Sequence, residues 1–152
     1  MAKRESAGEV GRQRSVRLWT VAQANERIPE LSDLIPELRV WVERLRVVHA
    51  EIHRLRGLWG QEIDAPDVPD RRHKDRLDRE WAALTRRIEE TIEQLRSDGI
   101  EIKDLEGGLV DFYARRNGEI VYLCWKTGED RVAFYHPLDS GFRGRRPISD
   151  RD

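Results

Sequence analysis

The chain has 152 residues, the length of one ordinary domain. Hydrophobic and charged residues each make up 38%, enough apolar material for a core, but a thin or elongated one under a large wetted surface. The 28 Lys+Arg and 29 Asp+Glu leave a net charge of −1, which argues against a nonspecific nucleic-acid binder, and the single cysteine, Cys124, excludes an intrachain disulfide or a multi-cysteine zinc knuckle.

Residues 1–17 carry Gly8, Gly11 and scattered charge with almost no apolar side chain, predicting a disordered, solvated basic tail rather than a nucleic-acid arm. No apolar stretch follows Lys3, Arg4 and Glu5, so no signal peptide is expected. The longest apolar run, Ile120 to Trp125, is far short of the ~20 residues that span a bilayer. These features predict a cytoplasmic protein that makes no membrane contact. Lysine occurs only at 3, 74, 103 and 126, so arginine supplies the other cations, a bias consistent with base composition as much as with anion recognition.

Order is expected from Leu18-Trp19 onward, with residues 18–148 forming a single domain and 149–152 a second tail. Thr20-Val-Ala-Gln23 has the form of a capping box and predicts a helix start. Pro29 and Pro36 each remove a helical hydrogen bond, predicting a short helix, a kink near one or both, and then a long helix. Leu34, Leu38, Trp41, Leu45, Val48, Ile52, Leu55 and Trp59 are spaced 4-3-4-3-4-3-4, an unbroken heptad seam that ends at Gly57 and Gly60. After a proline-containing loop, Leu77, Trp81, Leu84, Ile88, Thr91 and Leu95 form a second seam that Gly99 stops. Two such helices over 20–98 predict an antiparallel, coiled-coil-like hairpin about 40 Å long. Its register sets Val48 opposite Trp81 and Ile52 opposite Leu77, and leaves Leu55, Leu58 and Trp59 beyond their intrachain partners unless Ile63 and Val68 fold back. Two-helix hairpins bury little alone, so a homodimer formed through the helices is expected.

Beyond Gly99 the period becomes two. Leu109 to Arg116, Asn117-Gly118 and Glu119 to Trp125 predict a hairpin, Arg131 to His136 a third strand, and Ile100 to Leu105 a short strand or a connection. The fold class is therefore α+β, a helical hairpin followed by a three-stranded antiparallel meander with its loop over 100–148. The turn pairs 114 with 121, 112 with 123 and 110 with 125, giving an apolar face of Val110, Phe112, Ala114, Val121, Leu123 and Trp125. Asp111, Tyr113, Arg115, Ile120, Tyr122 and Cys124 lie on the other face. A four-residue next loop would add Val132 and Phe134 to the apolar face and leave His136 there too, at the strand's end.

His49 and His53, four apart with Glu51 between, resemble a metalloprotease helix, but Ala50 stands where that pattern needs glutamate, so both read as solvated helix-face residues. Cys124 lies mid-strand and reads as a half-buried small residue rather than a nucleophile. Gly141-Phe-Arg-Gly144-Arg-Arg146 is a charged loop with the freedom to form an anion nest. Asp111, Arg115, His136, Asp139 and Arg145 are the polar residues concentrated around the sheet, forming either an acid–base or metal cluster or structural pairs on a wet face.

Val110-Asp-Phe112, Tyr122-Leu-Cys-Trp125, Gly128-Glu129 and His136-Pro-Leu-Asp-Ser-Gly-Phe-Arg-Gly-Arg145, with Ala24-Asn25 and Ile28-Pro29-Glu30-Leu31, resemble the prokaryotic family catalogued as domain of unknown function 2203 over roughly Leu18 to Ile148. The resemblance singles out Asp111, Arg115, Cys124, Glu129, His136, Asp139 and Arg145; Tyr113 departs from it, standing where the family often has proline. It implies no activity. The expectation is a self-associating binding or assembly module with a site for a small anion or metal at the sheet and C-terminal loop, or else a small metal- or phosphate-dependent enzyme using Asp111, His136 and Asp139.

Overall fold

The computed structural model describes residues 15–149, so most of the two predicted tails, 1–14 and 150–152, lies outside the described residues. Helix α1 (Val21–Trp59) and helix α2 (Arg71–Ser97) form the hairpin. Strands β1 (Ile100–Asp104), β2 (Leu109–Arg116), β3 (Glu119–Lys126), β4 (Phe134–Pro137) and β5 (Arg146–Pro147) follow as one antiparallel meander in chain order. The three-stranded expectation is thus corrected to five strands. Ile100–Asp104 does pair, against β2, and the two-residue β5 pairs with β4.

Thr20 caps α1 as its spacing predicts: its hydroxyl accepts from Gln23 N at 3.2 Å, and Gln23 Oε1 accepts from Thr20 N at 3.1 Å. The predicted break at the prolines is absent, because α1 runs through Pro29 and Pro36 as one helix. An interior proline costs about 3 kcal/mol. Here Leu31 and Ile35, fully buried against the sheet, hold that stretch in place.

The hairpin register follows the seams. Trp59 Nε1 donates to Asp70 Oδ2 at 2.8 Å, and Arg44 Nη2 donates to Glu80 Oε2 at 2.8 Å. At the tip Ile63 and Val68 do fold back, packing with Val48, Ile52, Leu55, Trp59 and Leu77, so Leu55 and Trp59 are covered within the chain while Leu58 stays 63% exposed. The mid-section has no such cover: Trp41, Leu45, Leu84 and Ile88 stay half-buried, and Trp81 is 39% exposed.

At the other end Trp19 ties the chain to both layers. Its backbone N donates to Tyr113 O at 2.7 Å, its indole Nε1 to Asp98 O at 2.7 Å, and its ring meets Phe112 edge-on. Gly99 must be glycine there, since its φ is +73° and a Cβ would collide with the Arg17 carbonyl oxygen. Asn117 and Gly118 both have positive φ, as a two-residue hairpin turn requires, and β2–β3 pairing follows the predicted register from Val110↔Trp125 to Ala114↔Val121. The predicted apolar face is wholly buried against the helices.

The β4 register differs from expectation by one residue. Cys124 pairs with Phe134, Leu123 with Tyr135 and Tyr122 with His136, so Tyr135 joins the core while Phe134 and His136 face outward with Asp111. The cause is the 127–133 loop. Trp125 Nε1 donates to Glu129 O at 2.9 Å, Lys126 N to Glu129 Oε1 at 2.7 Å, and Val132 N to Asn25 Oδ1 on α1 at 2.7 Å. These bonds hold Val132 in the core outside any strand and delay β4, which reverses its facing.

Candidate functional site

Side chains on the outer face stand in two rows across the sheet. Glu101, Asp111, Cys124 and Phe134 align from β1 to β4, and Tyr113, Tyr122 and His136 form the next row. Asp111 and His136 sit on strands that flank β3, on a diagonal, with Cys124 opposite Asp111 and Tyr122 opposite His136. Their side chains reach across β3 beside the small Cys124, and His136 Nε2 lies 3.0 Å from Asp111 Oδ2. Both are 2% exposed.

The other ring nitrogen orients the imidazole. His136 Nδ1 is 2.9 Å from the Pro137 carbonyl oxygen, which can only accept, so Nδ1 carries hydrogen and Nε2 is turned to Asp111. Burial is the largest influence on Asp111 and raises its pKa above the ordinary carboxylate value, with the charge of His136 and its hydrogen bond working against that. Burial, then the charge of Asp111, push the Cys124 thiol up to about 12, so it keeps its proton at neutral pH.

Tyr113 hydroxyl donates to Glu101 Oε1 at 3.0 Å, and Tyr122 hydroxyl donates to Tyr113 at 2.9 Å. The Tyr113 phenol is raised chiefly by its bond to Tyr122, the Tyr122 phenol chiefly by burial. Lys103 lies 4.4 Å over the Tyr122 ring, and the His136 imidazole is 5.4 Å from the same ring. Together with the loop residues Leu138, Ser140 and Phe142, this surface encloses a cavity of about 160 Å³ whose wall includes Asp111, Cys124 and His136.

Of the five residues singled out in sequence, Asp111 and His136 meet in this cavity wall. Arg145 lies at its edge, donating to Glu129 Oε1 at 2.6 Å and stacked 4.0 Å over Phe134 and 4.7 Å over Phe142. Its ion-pair partner is Glu129 rather than Asp111. Arg115 is exposed toward the turn end of β2, and Asp139 is exposed on the loop; neither lines the cavity. His49 and His53 are exposed on α1. Cys124 and Tyr122 were assigned to the correct face by strand alternation, but their part in the cluster depends on His136, whose facing the sequence misreads.

Among the described residues, Asp111, Cys124 and His136 bring a carboxylate oxygen, a sulfur and an imidazole nitrogen within 4.8 Å of one another, a donor set able to hold a metal ion. No described helix is long and apolar enough to cross a membrane. No curated protein and no solved structure matches the chain. Residues 17–148 match the family described as an uncharacterized conserved protein (DUF2203), and the chain belongs to that family.

Proposed function

We propose that the protein is a small-ligand-binding module whose site is the cavity between the outer sheet face and the 138–145 loop. One observation carries this reading: two ionisable side chains, each 2% exposed and 3.0 Å apart, stand in the wall of a cavity rather than sealed in the core. A buried carboxyl with a raised pKa beside a histidine in a concave site is the kind of arrangement that ligand or catalytic chemistry uses. The cavity's volume limits the ligand. About 160 Å³ accommodates an ion with a few waters or a molecule of a few heavy atoms, well below the ~300–1,000 Å³ of ordinary cofactor pockets. An enzymatic reading uses the same pair as acid and base, with Asp139 recruited only if its exposed loop turns inward.

Thermal denaturation against a panel of divalent metals, phosphate and sulfate tests the site. A ligand at a hundred times its Kd adds about 2.7 kcal/mol of stability. The wild type is expected to shift with at least one member, and Asp111→Asn with His136→Gln to lose the shift while remaining folded. A wild type indifferent to the whole panel contradicts the reading.

A second reading concerns assembly. The half-buried mid-hairpin, with Trp81 39% and Val47 47% exposed, favours self-association by apposition of two hairpins. Light scattering at micromolar concentration is expected to give a dimer that Trp81→Glu converts to monomer; a wild-type monomer would remove this reading.

A further inference from the structure

We infer that Asp111, Cys124 and His136 form a three-ligand site for a zinc-class divalent metal, with a fourth coordination position opening on the outer-face cavity. This rests on the ligand-binding reading above and names the ligand.

Donor chemistry makes the first selection. A thiolate, an imidazole and a carboxylate suit zinc and its borderline-soft neighbours, whereas magnesium and calcium take oxygen donors. Separation makes the second. Tetrahedral bonds of about 2.0–2.3 Å set donor atoms roughly 3.3–3.8 Å apart. Here Asp111 Oδ2 and His136 Nε2 are 3.0 Å apart and all three donors lie within 4.8 Å, so the observed spacings straddle what a metal needs. Three adjacent strands supply one ligand each, so the paired backbone already holds the three side chains side by side.

The histidine is already oriented. Metal-binding imidazoles commonly donate their free N–H to a carbonyl or carboxylate, which fixes the tautomer and aims the other nitrogen at the metal. His136 Nδ1 donates to Pro137 O at 2.9 Å, and Nε2 points at the cluster. Three protein ligands beside a cavity match the open arrangement of zinc sites that keep a water or substrate atom in the fourth position, not the closed arrangement of structural zinc.

The test is titration of the purified full-length chain, after dialysis against chelator, with Zn²⁺ and with Co²⁺. One equivalent is expected to bind, and the cobalt form is expected to show thiolate-to-cobalt charge transfer with tetrahedral ligand-field bands. Cys124→Ser should abolish the charge-transfer band while its circular dichroism stays that of the wild type. Cys124→Ala provides a second variant should serine disturb folding. His136→Gln should weaken binding by more than the 10–100-fold typical of a lost supporting contact. Wild-type protein that takes up no stoichiometric metal overturns the inference, as does a cobalt spectrum unchanged in both Cys124 variants, which would place the ion at exposed histidines. If metals fail yet phosphate or sulfate still gives a shift that Asp111→Asn removes, the metal assignment falls and the binding module stands. Failure of every ligand removes both.

Discussion

The imidazole of His136 on β4 meets the carboxylate of Asp111 on β2 at 3.0 Å across a strand to which neither belongs. β3 passes between them, with Cys124 opposite Asp111 and Tyr122 opposite His136. The Cys124 sulfur lies within 4.8 Å of both donor atoms, so the contact leaves little room for a larger side chain at position 124.

Enlarging that residue should separate the pair. Cys124→Leu is expected to cost about 1–3 kcal/mol as overpacking, and to add the cost of the parted pair, while Cys124→Ala should leave the contact intact. Urea denaturation of the two variants measures the difference; equal stabilities would mean that the thiol does not govern the approach.

Removing the histidine should make stability pH-dependent in a defined direction. In His136→Gln, Asp111 keeps the burial that raises its pKa and loses the His136 ring that opposes it. A carboxyl with a raised pKa binds its proton more tightly folded than unfolded, so its contribution is complete below the ordinary value of ~3.9 and drains as pH rises through the raised one. The variant's deficit against wild type should thus grow from about pH 4 to pH 7, approaching the roughly 3–5 kcal/mol of a broken buried pair. Urea titrations at several pH values read this directly, and a deficit that shrinks as pH rises would reverse the assignment.

The thiol should be inert until the fold opens. With Cys124 2% exposed and its pKa pushed up to about 12, a disulfide reagent at pH 8 should label it only as fast as the protein unfolds. The folded thiol holds its proton above the ordinary range of ~8.5, so stability should fall as pH climbs from there toward 12. Cys124→Ala should flatten that part of the pH profile. Rapid labelling under native conditions would contradict the burial.

In the core, Phe112 is fully buried and meets Trp19 edge-on with ring centroids 5.5 Å apart. Phe112→Ala should cost roughly 3–5 kcal/mol, the range for truncating a buried aromatic residue. A loss below about 1 kcal/mol on the same scale would mean that the inner and outer faces of β2 are interchanged.

What was legible in the sequence was local and periodic. The heptads of Leu34–Trp59 and Leu77–Leu95, the Thr20 cap and the Asn117-Gly118 turn each state their geometry within a few residues, and the β2–β3 register follows from the turn. The facing of His136 was not legible. It depends on where β4 begins, and that is set by Asn25 holding Val132 from 107 residues away and by Glu129 binding Trp125, Lys126 and Arg145. Glu129 and Asn25 were both among the residues carrying the family resemblance, but their long-range role has no local pattern. The two-residue β5 is too short to show a period, and the continuity of α1 through its prolines reflects packing of Leu31 and Ile35 that spacing alone does not weigh.

The most direct measurement of the central claim is a crystal grown with zinc and recorded above and below the zinc absorption edge. The account predicts an anomalous peak among Asp111 Oδ2, Cys124 Sγ and His136 Nε2, with density for a fourth ligand on the cavity side. Zinc density confined to the exposed His49 or His53, with the Asp111–His136 contact still closed at about its 3.0 Å, would contradict it.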